Sequence, residues 1–384
     1  MIVTFAHMGN LWVVVKTILE DLGVEVVVPP RPSRKSLDLG VRHSPEFACF
    51  PLKLNIGDFI GGLERGAEAV VMVGGVGPCR LGHYAQVQEQ ILRDLGYRCE
   101  MIVLEPPRGR LSDLLAKVRY LTGNKPLGRV WRAVRFGLEK LSALDALDQA
   151  LARVRPLERG PGPAEDVHRR AVGAVAAAAD VGTVRRAAAE GVRAIEGCVS
   201  PEAAGDGAAV LRVGLVGEIY MVEEPFANQE LERRLGGLGV EVRRAVYLSD
   251  WVRTHLLPNP FRLGRRCRTS LVRRAAAPYL GHFVGGEGLV SVGESVLLSR
   301  EGYDGVIHVA PFTCMPEIVA SSLLPEVSRD LGLPVMSLFL DEHTAEAGLV
   351  TRIEAFVDLL ARRRAAREAG ARPPAAQGKA RSAT

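Results

Sequence analysis

Short apolar runs alternate with longer stretches of helical period over the first hundred residues. Ile2-Val3-Thr4-Phe5, Val24 to Val28, Val70 to Val73 and Met101 to Leu104 read as strands, with helices near 10–21, 56–66 and 84–95 between them. Strands that are apolar on both faces suit a parallel sheet covered by helices on each side. Gly23, Gly66 and Gly96 stand at or just past the ends of these helices, where a left-handed cap favours glycine.

From about Arg108 to Ala204 the strands stop and Ala, Arg, Leu and Glu dominate. Leu138, Leu141, Leu144 and Leu147 recur at helical spacing, and Ala174 to Ala179 lies in another helix, so this block reads as three or four helices. Gly160-Pro161-Gly162-Pro163 is a loop or hinge within it, and the block is expected to cover a cleft or support a subunit contact. Alternation returns near Val210, with strands at Val213 to Val216, Val240 to Val246, Gly305 to Val309 and Val335 to Phe339. Helices are expected near 227–236, 287–299, 316–330 and 345–364. The fold class is therefore α/β: two parallel-sheet domains, 1–107 and 208–365, with a helical insertion at 108–207 and a flexible basic tail at 366–384. Ligands of open α/β sheets sit beyond the carboxyl ends of the strands, so residues just after strands are the candidates for chemistry.

Composition narrows the function classes. At 47% apolar and 24% charged residues the chain is ordinary globular protein, and no apolar run approaches the roughly 18 residues of a membrane span. The amino terminus has no basic flank or cleavage site of a signal peptide and reads as a first strand, so a cytoplasmic protein is expected. Much of the net charge of +5 comes from arginine-rich helices and from the tail after Leu360, which reads as a solvated terminus; neither nucleic acid nor membrane is an expected partner.

In a reducing compartment the six cysteines do not read as a disulfide framework. Three of them fall at informative places. Cys79 follows the strand Val70–Val73 through Gly74-Gly75-Val76-Gly77-Pro78. Cys314, in "APFTCMPE", follows the strand ending at Val309 through a proline turn. Cys49, in "SPEFACFPLKLN", lies in a non-repetitive segment that leads into a helix. Each has a proline within two residues, which fixes the local backbone. Metal ligation, catalysis and plain burial all suit cysteines so placed. Cys99, Cys198 and Cys267 read as structural or surface thiols. There is no CxxC pair, hence no zinc ribbon or ferredoxin run. The glycines before Cys79 are not a phosphate loop, because no Gly-Lys-Ser/Thr ending follows and Pro78 removes an amide where a nucleotide would need one.

Several multi-residue motifs resemble one family: "TFAHMGN", "LGVRHSPEFACFPLKLNIGDFI", "VMVGGVGPCRLGHYAQVQ", "GYDGVIHVAPFTCMPE" and "DEHTAEAGLVTRIEAF". Together they look like the 2-hydroxyacyl-CoA dehydratase D-component superfamily, in its stand-alone activase-related branch, over about residues 1–107 and 208–362. The resemblance implies two flavodoxin-like domains with a helical insertion. It also implies a [4Fe-4S] cluster held by three cysteines per subunit, and Cys49, Cys79 and Cys314 match these positions one by one. In the dehydratases an electron on that cluster makes a ketyl radical from a 2-hydroxyacyl-CoA thioester and allows loss of water. In related homodimers two cubanes join through a sulfide as a double-cubane cluster, and the proteins reduce small molecules. Both kinds take electrons from a separate ATP-hydrolysing iron–sulfur activator.

The resemblance thus implies a dehydratase-like lyase or ATP-dependent reductase component of anaerobic metabolism, working as a homodimer or as a heterodimer with a related subunit. The alternatives are a non-catalytic cluster-binding or assembly subunit and a cluster-free small-molecule binder. No CoA-binding signature or ATPase motif is evident, so the chain reads as an electron acceptor of an activase rather than as an activase. Beside the cysteines, Glu46 and Glu317 are candidates to move protons, or else carboxylates at helix starts. His83 and Tyr84 are candidates to meet substrate, or else packed or solvated side chains. Arg80 and Lys53 would offset thiolate charge or form ion pairs. His7 ends the first strand at the cleft edge, and His308 within a strand is expected in the core.

Overall fold

The computed structural model describes residues 1–74, 79–105, 111–158, 162–200, 210–255 and 268–369. Two four-stranded sheets, parallel throughout, organise it. The first, ordered β2-β1-β3-β4, contains β1 (Ile2–Phe5), β2 (Glu25–Val26), β3 (Ala69–Val73) and β4 (Glu100–Leu104). The second repeats that order as β6-β5-β7-β8, from β5 (Leu211–Gly217), β6 (Val240–Arg244), β7 (Gly305–Pro311) and β8 (Val335–Leu340). Val3 pairs with Ala69 in one ladder and Val213 with Gly305 in the other.

Alternation of side chains explains why the central strands are apolar on both faces. In β3, Val70 and Met72 pack with Leu52, Ile56 and Phe59 of α3 (Phe50–Leu63), while Ala69 and Val71 pack with Leu19 of α1 (Leu11–Asp21) and Leu121 of α5 (Leu111–Leu121). Both faces are dry, as a helix-covered parallel sheet requires. The second sheet is covered likewise: Ile307 and Val309 meet Leu349, Ile353 and Phe356, and Val306 on the other face meets Leu298.

Among the described residues the insertion after β4 contains four helices, α5, α6 (Leu127–Val154), α7 (Pro163–Ala177) and α8 (Val181–Glu196). Leu141, Leu144 and Leu147 bury against Val172, Val175, Val184 and Ile195, and the same cluster takes in Val13 and Val14 of α1, which docks the insertion on the first domain. Part of the Gly160–Pro163 loop lies outside the described residues, as do the glycine bend at 75–78 and most of the tail.

Two sequence expectations are corrected at helix boundaries. The helix expected near 56 begins at Phe50, because proline is tolerated in a first turn and Pro51 opens α3 rather than preceding it. The segment before it holds a helix the pattern hides, α2 (Arg34–His43), closed at its start by a Ser33/Ser36 capping box. There α2 and α3 touch so closely that a Cβ on Gly40 would lie 1.7 Å from the Lys53 carbonyl oxygen. The second domain contains α9 (Ile219–Glu223), α10 (Leu231–Gly237), α11 (Leu248–His255), α12 (Arg268–Ala276), α13 (Gly288–Arg300), α14 (Met315–Leu331) and α15 (Glu346–Glu368). Of these, α9, α11 and α12 are too short or too polar to show a period, and α15 runs three residues beyond the expected domain end at 365. Among the described residues no helix is long and apolar enough to cross a membrane.

Candidate functional site

In both sheets the strand order reverses between the first strand and its neighbour, β1 to β3 and β5 to β7. Such a switch point is where open α/β sheets leave a crevice at their carboxyl ends. Cys79 comes after β3 and Cys314 after β7, so the two cysteines occupy equivalent places in the two domains.

Each cysteine introduces a helix. Cys49 is the N-cap of α3 and Cys314 the N-cap of α14, with Pro51 and Pro316 in the first turns. Cys79 stands two residues before α4 (Leu81–Asp94). One backbone group joins the three segments: the Phe47 carbonyl accepts a hydrogen bond from Arg80 Nη1 at 2.8 Å and from Thr313 Oγ1 at 3.3 Å. Phe47, Arg80 and Thr313 adjoin or nearly adjoin Cys49, Cys79 and Cys314, so the bonds bring the cysteine segments together. Thr313 holds a left-handed φ of +69°, an outlier for a β-branched residue, in the turn that presents Cys314.

Electrostatics at the sulfurs has two opposing parts. Burial pushes the Cys49 thiol up to about 12 and raises the thiols of Cys79 and Cys314, and the nearby Glu218 carboxyl adds to all three. Against this, the N–H groups of Leu52, Leu81 and Glu317 each favour the thiolate of the cysteine at their own helix start, although at Cys49 and Cys314 they fall short of a full side-chain cap. The amino ends of three helices add roughly half a positive charge each. The Tyr84 hydroxyl is hydrogen-bonded to the Cys49 sulfur.

Three carboxyl groups lie beside the thiols. Glu317 is fully buried; its Oε2 accepts hydrogen bonds from Ser291 Oγ at 2.9 Å and pairs with His308 Nε2 at 2.8 Å, and its Oε1 has no partner. Glu218 caps α9 by accepting from the Met221 N–H at 3.0 Å; burial, with Glu317 and Glu287 nearby, pushes it up to about 7. Glu287 accepts from the Trp251 indole N–H at 2.9 Å, and burial with Glu317 beside it pushes this carboxyl up to about 7 as well. His308 is in the core, as its strand position suggests, and it is also the partner of Glu317.

The other sequence candidates are placed as follows. Glu46 is exposed in the turn before Cys49, with its carbonyl taking the Lys53 ammonium at 3.1 Å, and His83 is exposed on α4. Lys53 is buried and ion-paired with Glu342, so of the two roles expected for it the structure places it in an ion pair across the domains. His7 is buried against Glu224 at 3.2 Å, with its backbone N–H on Asp58. Cys99 and Cys198 are partly buried away from these bonds, and Cys267 lies outside the described residues.

Sequence reasoning misses Glu218 and Glu287. Glu218 has a signal, since it follows the end of β5 as His7 follows β1; Gly217 there has φ +140°, and a Cβ on it would lie 1.8 Å from the Val309 carbonyl. Glu287 has none, sitting in a Gly-Gly-Glu-Gly loop. A large cavity, about 1080 Å³, is a separate cleft among the first domain, α6, α7 and the second domain, reached by Trp12, Asp148, His168 and Arg244 and lined by none of the three cysteines.

The donor set suits an iron–sulfur cluster. Three soft thiols stand at helix starts with backbone N–H groups turned to them, which is what an anionic cluster needs from its surroundings. Among the described residues no three of His, Cys, Asp and Glu are grouped tightly enough for a single metal ion; a cubane is wider than an ion and holds its thiolates farther apart. In comparisons with known proteins, the chain matches no family model and no curated sequence.

Proposed function

We propose that this chain is an iron–sulfur redox protein in which Cys49, Cys79 and Cys314 hold a [4Fe-4S] cluster. It takes low-potential electrons from a separate ATP-hydrolysing iron–sulfur activator and reduces or dehydrates a small substrate, a 2-hydroxyacyl-CoA thioester or a small oxidised molecule. The observation that carries this reading is the convergence of three helix-starting cysteine segments on the Phe47 carbonyl.

Bound there, a [4Fe-4S] cluster supplies single low-potential electrons and, with three protein ligands, one iron open to a small molecule. The chain's own residues supply the rest. Glu218 and Glu287, both pushed up to about 7, hold or release a proton near neutral pH, the range in which general acid–base groups work. Phe47, Phe312 and Met315 are exposed beside the cysteines and give an apolar face on which an electron donor or a second subunit docks.

Anaerobic purification tests the reading. About four iron and four acid-labile sulfide per chain, with an EPR signal on reduction, are expected; a colourless, iron-free protein under reducing, oxygen-free conditions overturns it. Cys79→Ala loses most of the iron and Cys198→Ala keeps it. Equal iron in the two variants removes the ligand assignment.

A further inference from the structure

We propose that Tyr84 is a positioning residue that donates a hydrogen bond to the Cys49 sulfur and raises the reduction potential of the cluster held there. This rests on the iron–sulfur reading above and assigns the residue that tunes it.

Tyr84 is the fourth residue of α4, the helix introduced by Cys79, yet its hydroxyl reaches Cys49 at the start of α3. Tyr84 is 7% exposed and packs among Leu52, Ile56, Val70, Met72 and Ala85. A buried phenol needs a partner for its O–H, and the Cys49 sulfur is the one the structure supplies. Iron ligation removes the thiol proton and leaves sulfur with acceptor capacity only, so the phenol must be the donor.

The three ligands are thereby unequal. Cys79 and Cys314 receive help from backbone N–H groups alone among the described residues, whereas Cys49 receives the Leu52 N–H and a side-chain hydroxyl. Hydrogen bonds to ligand sulfur draw off charge and favour the reduced cluster, the more anionic state. Because Tyr84 spans α3 and α4, it also fixes the Cys49 side chain relative to the Cys79 segment.

Tyr84→Phe keeps the ring and its packing and removes only the hydroxyl. In the anaerobically purified full chain, iron content stays at the parent level. The midpoint potential falls, with the reduction equilibrium shifting about tenfold, equivalent to about 59 mV for one electron. An exchangeable proton coupled to the reduced cluster in ENDOR spectra disappears with it. Tyr120→Phe, at an exposed tyrosine, leaves both readings unchanged. Unchanged potential and proton coupling in an iron-loaded Tyr84→Phe protein overturn this inference alone. Loss of iron from that variant also overturns it, by making Tyr84 a requirement for binding rather than for tuning. An iron-free parent protein overturns the cluster reading and this inference together.

Discussion

Buried carboxyl groups are handled in opposite ways at the two crevices of this molecule. In the large cleft, Arg244 is bonded to Glu223 at 2.8 Å, to Asp148 at 3.1 Å and to both oxygens of Glu232, while Arg155 pairs with Glu165 at 2.7 Å. Burial alone would raise Asp148, but Arg244, His168 and Arg155 outweigh it and hold that carboxyl below its ordinary range. Beside the cysteines, Glu218, Glu287 and Glu317 meet a backbone N–H, an indole, a serine and a histidine, and no arginine or lysine among the described residues. Matched charge makes a scaffold, whereas acids left without such a cation, with Glu218 and Glu287 pushed up to about 7, mark a candidate site. Glu223 marks the limit of the first kind. Burial, with Asp145, Asp148 and Glu232 around it, pushes it up to about 8 in spite of Arg244, so one arginine shared among several acids does not hold all of them ionised.

The contrast breaks most visibly at Arg244. Arg244→Met removes the cation shared by buried Glu223 and part-buried Asp148 and Glu232 and costs about 3–5 kcal/mol in urea unfolding; a loss under about 1 kcal/mol would show that the cleft acids do not depend on it. Iron content stays at the parent level, because no cysteine belongs to that network.

A smaller effect separates the acids of the cysteine face. Unfolded, Glu287 ionises near 4.5; folded, near 7. Between those values the folded chain keeps a proton that the unfolded chain has lost, so the stability Glu287 contributes below 4.5 falls away as pH rises toward 7. Glu287→Gln stays neutral and still accepts the Trp251 bond. In iron-free protein, the decline in unfolding free energy between pH 5 and pH 8 therefore shrinks by about 2 kcal/mol in the variant. Identical pH profiles would place Glu287 with the matched acids instead.

Much of this arrangement is legible in the chain, for identifiable reasons. The central strands β1, β3, β5 and β7 appear as apolar runs because both faces of each sheet are covered there, and the strand-end rule picks out Cys79 and Cys314 as neighbours of the crevice. What the pattern does not carry is side-chain contact between distant segments. Nothing local says that the Phe47 carbonyl joins Arg80 to Thr313, that Lys53 answers Glu342 across the domains, or that Tyr84 turns inward to Cys49 while His83 beside it turns out. The short helices α9 and α11 are invisible for a different reason: five and eight residues are too few for a period, and tertiary packing around Met221 and Leu248 holds them.

His83 gives the smallest expected effect. It stands four residues after Cys79 and one before Tyr84, so spacing alone makes the two side chains equal candidates for the site. Their exposure divides them: Tyr84 is in the core with its hydroxyl on sulfur, and His83 faces solvent on the other side of the same helical turn. Exposed positions without a cap, a buried partner or a strained backbone usually tolerate substitution within about 0.5 kcal/mol. His83→Ala should therefore leave unfolding free energy within that margin and iron at the parent level. Any requirement for His83 then shows only as slower turnover with activator, ATP and substrate. A fall in iron content instead would tie His83 to the buried thiol face and erase the distinction that burial draws between it and Tyr84.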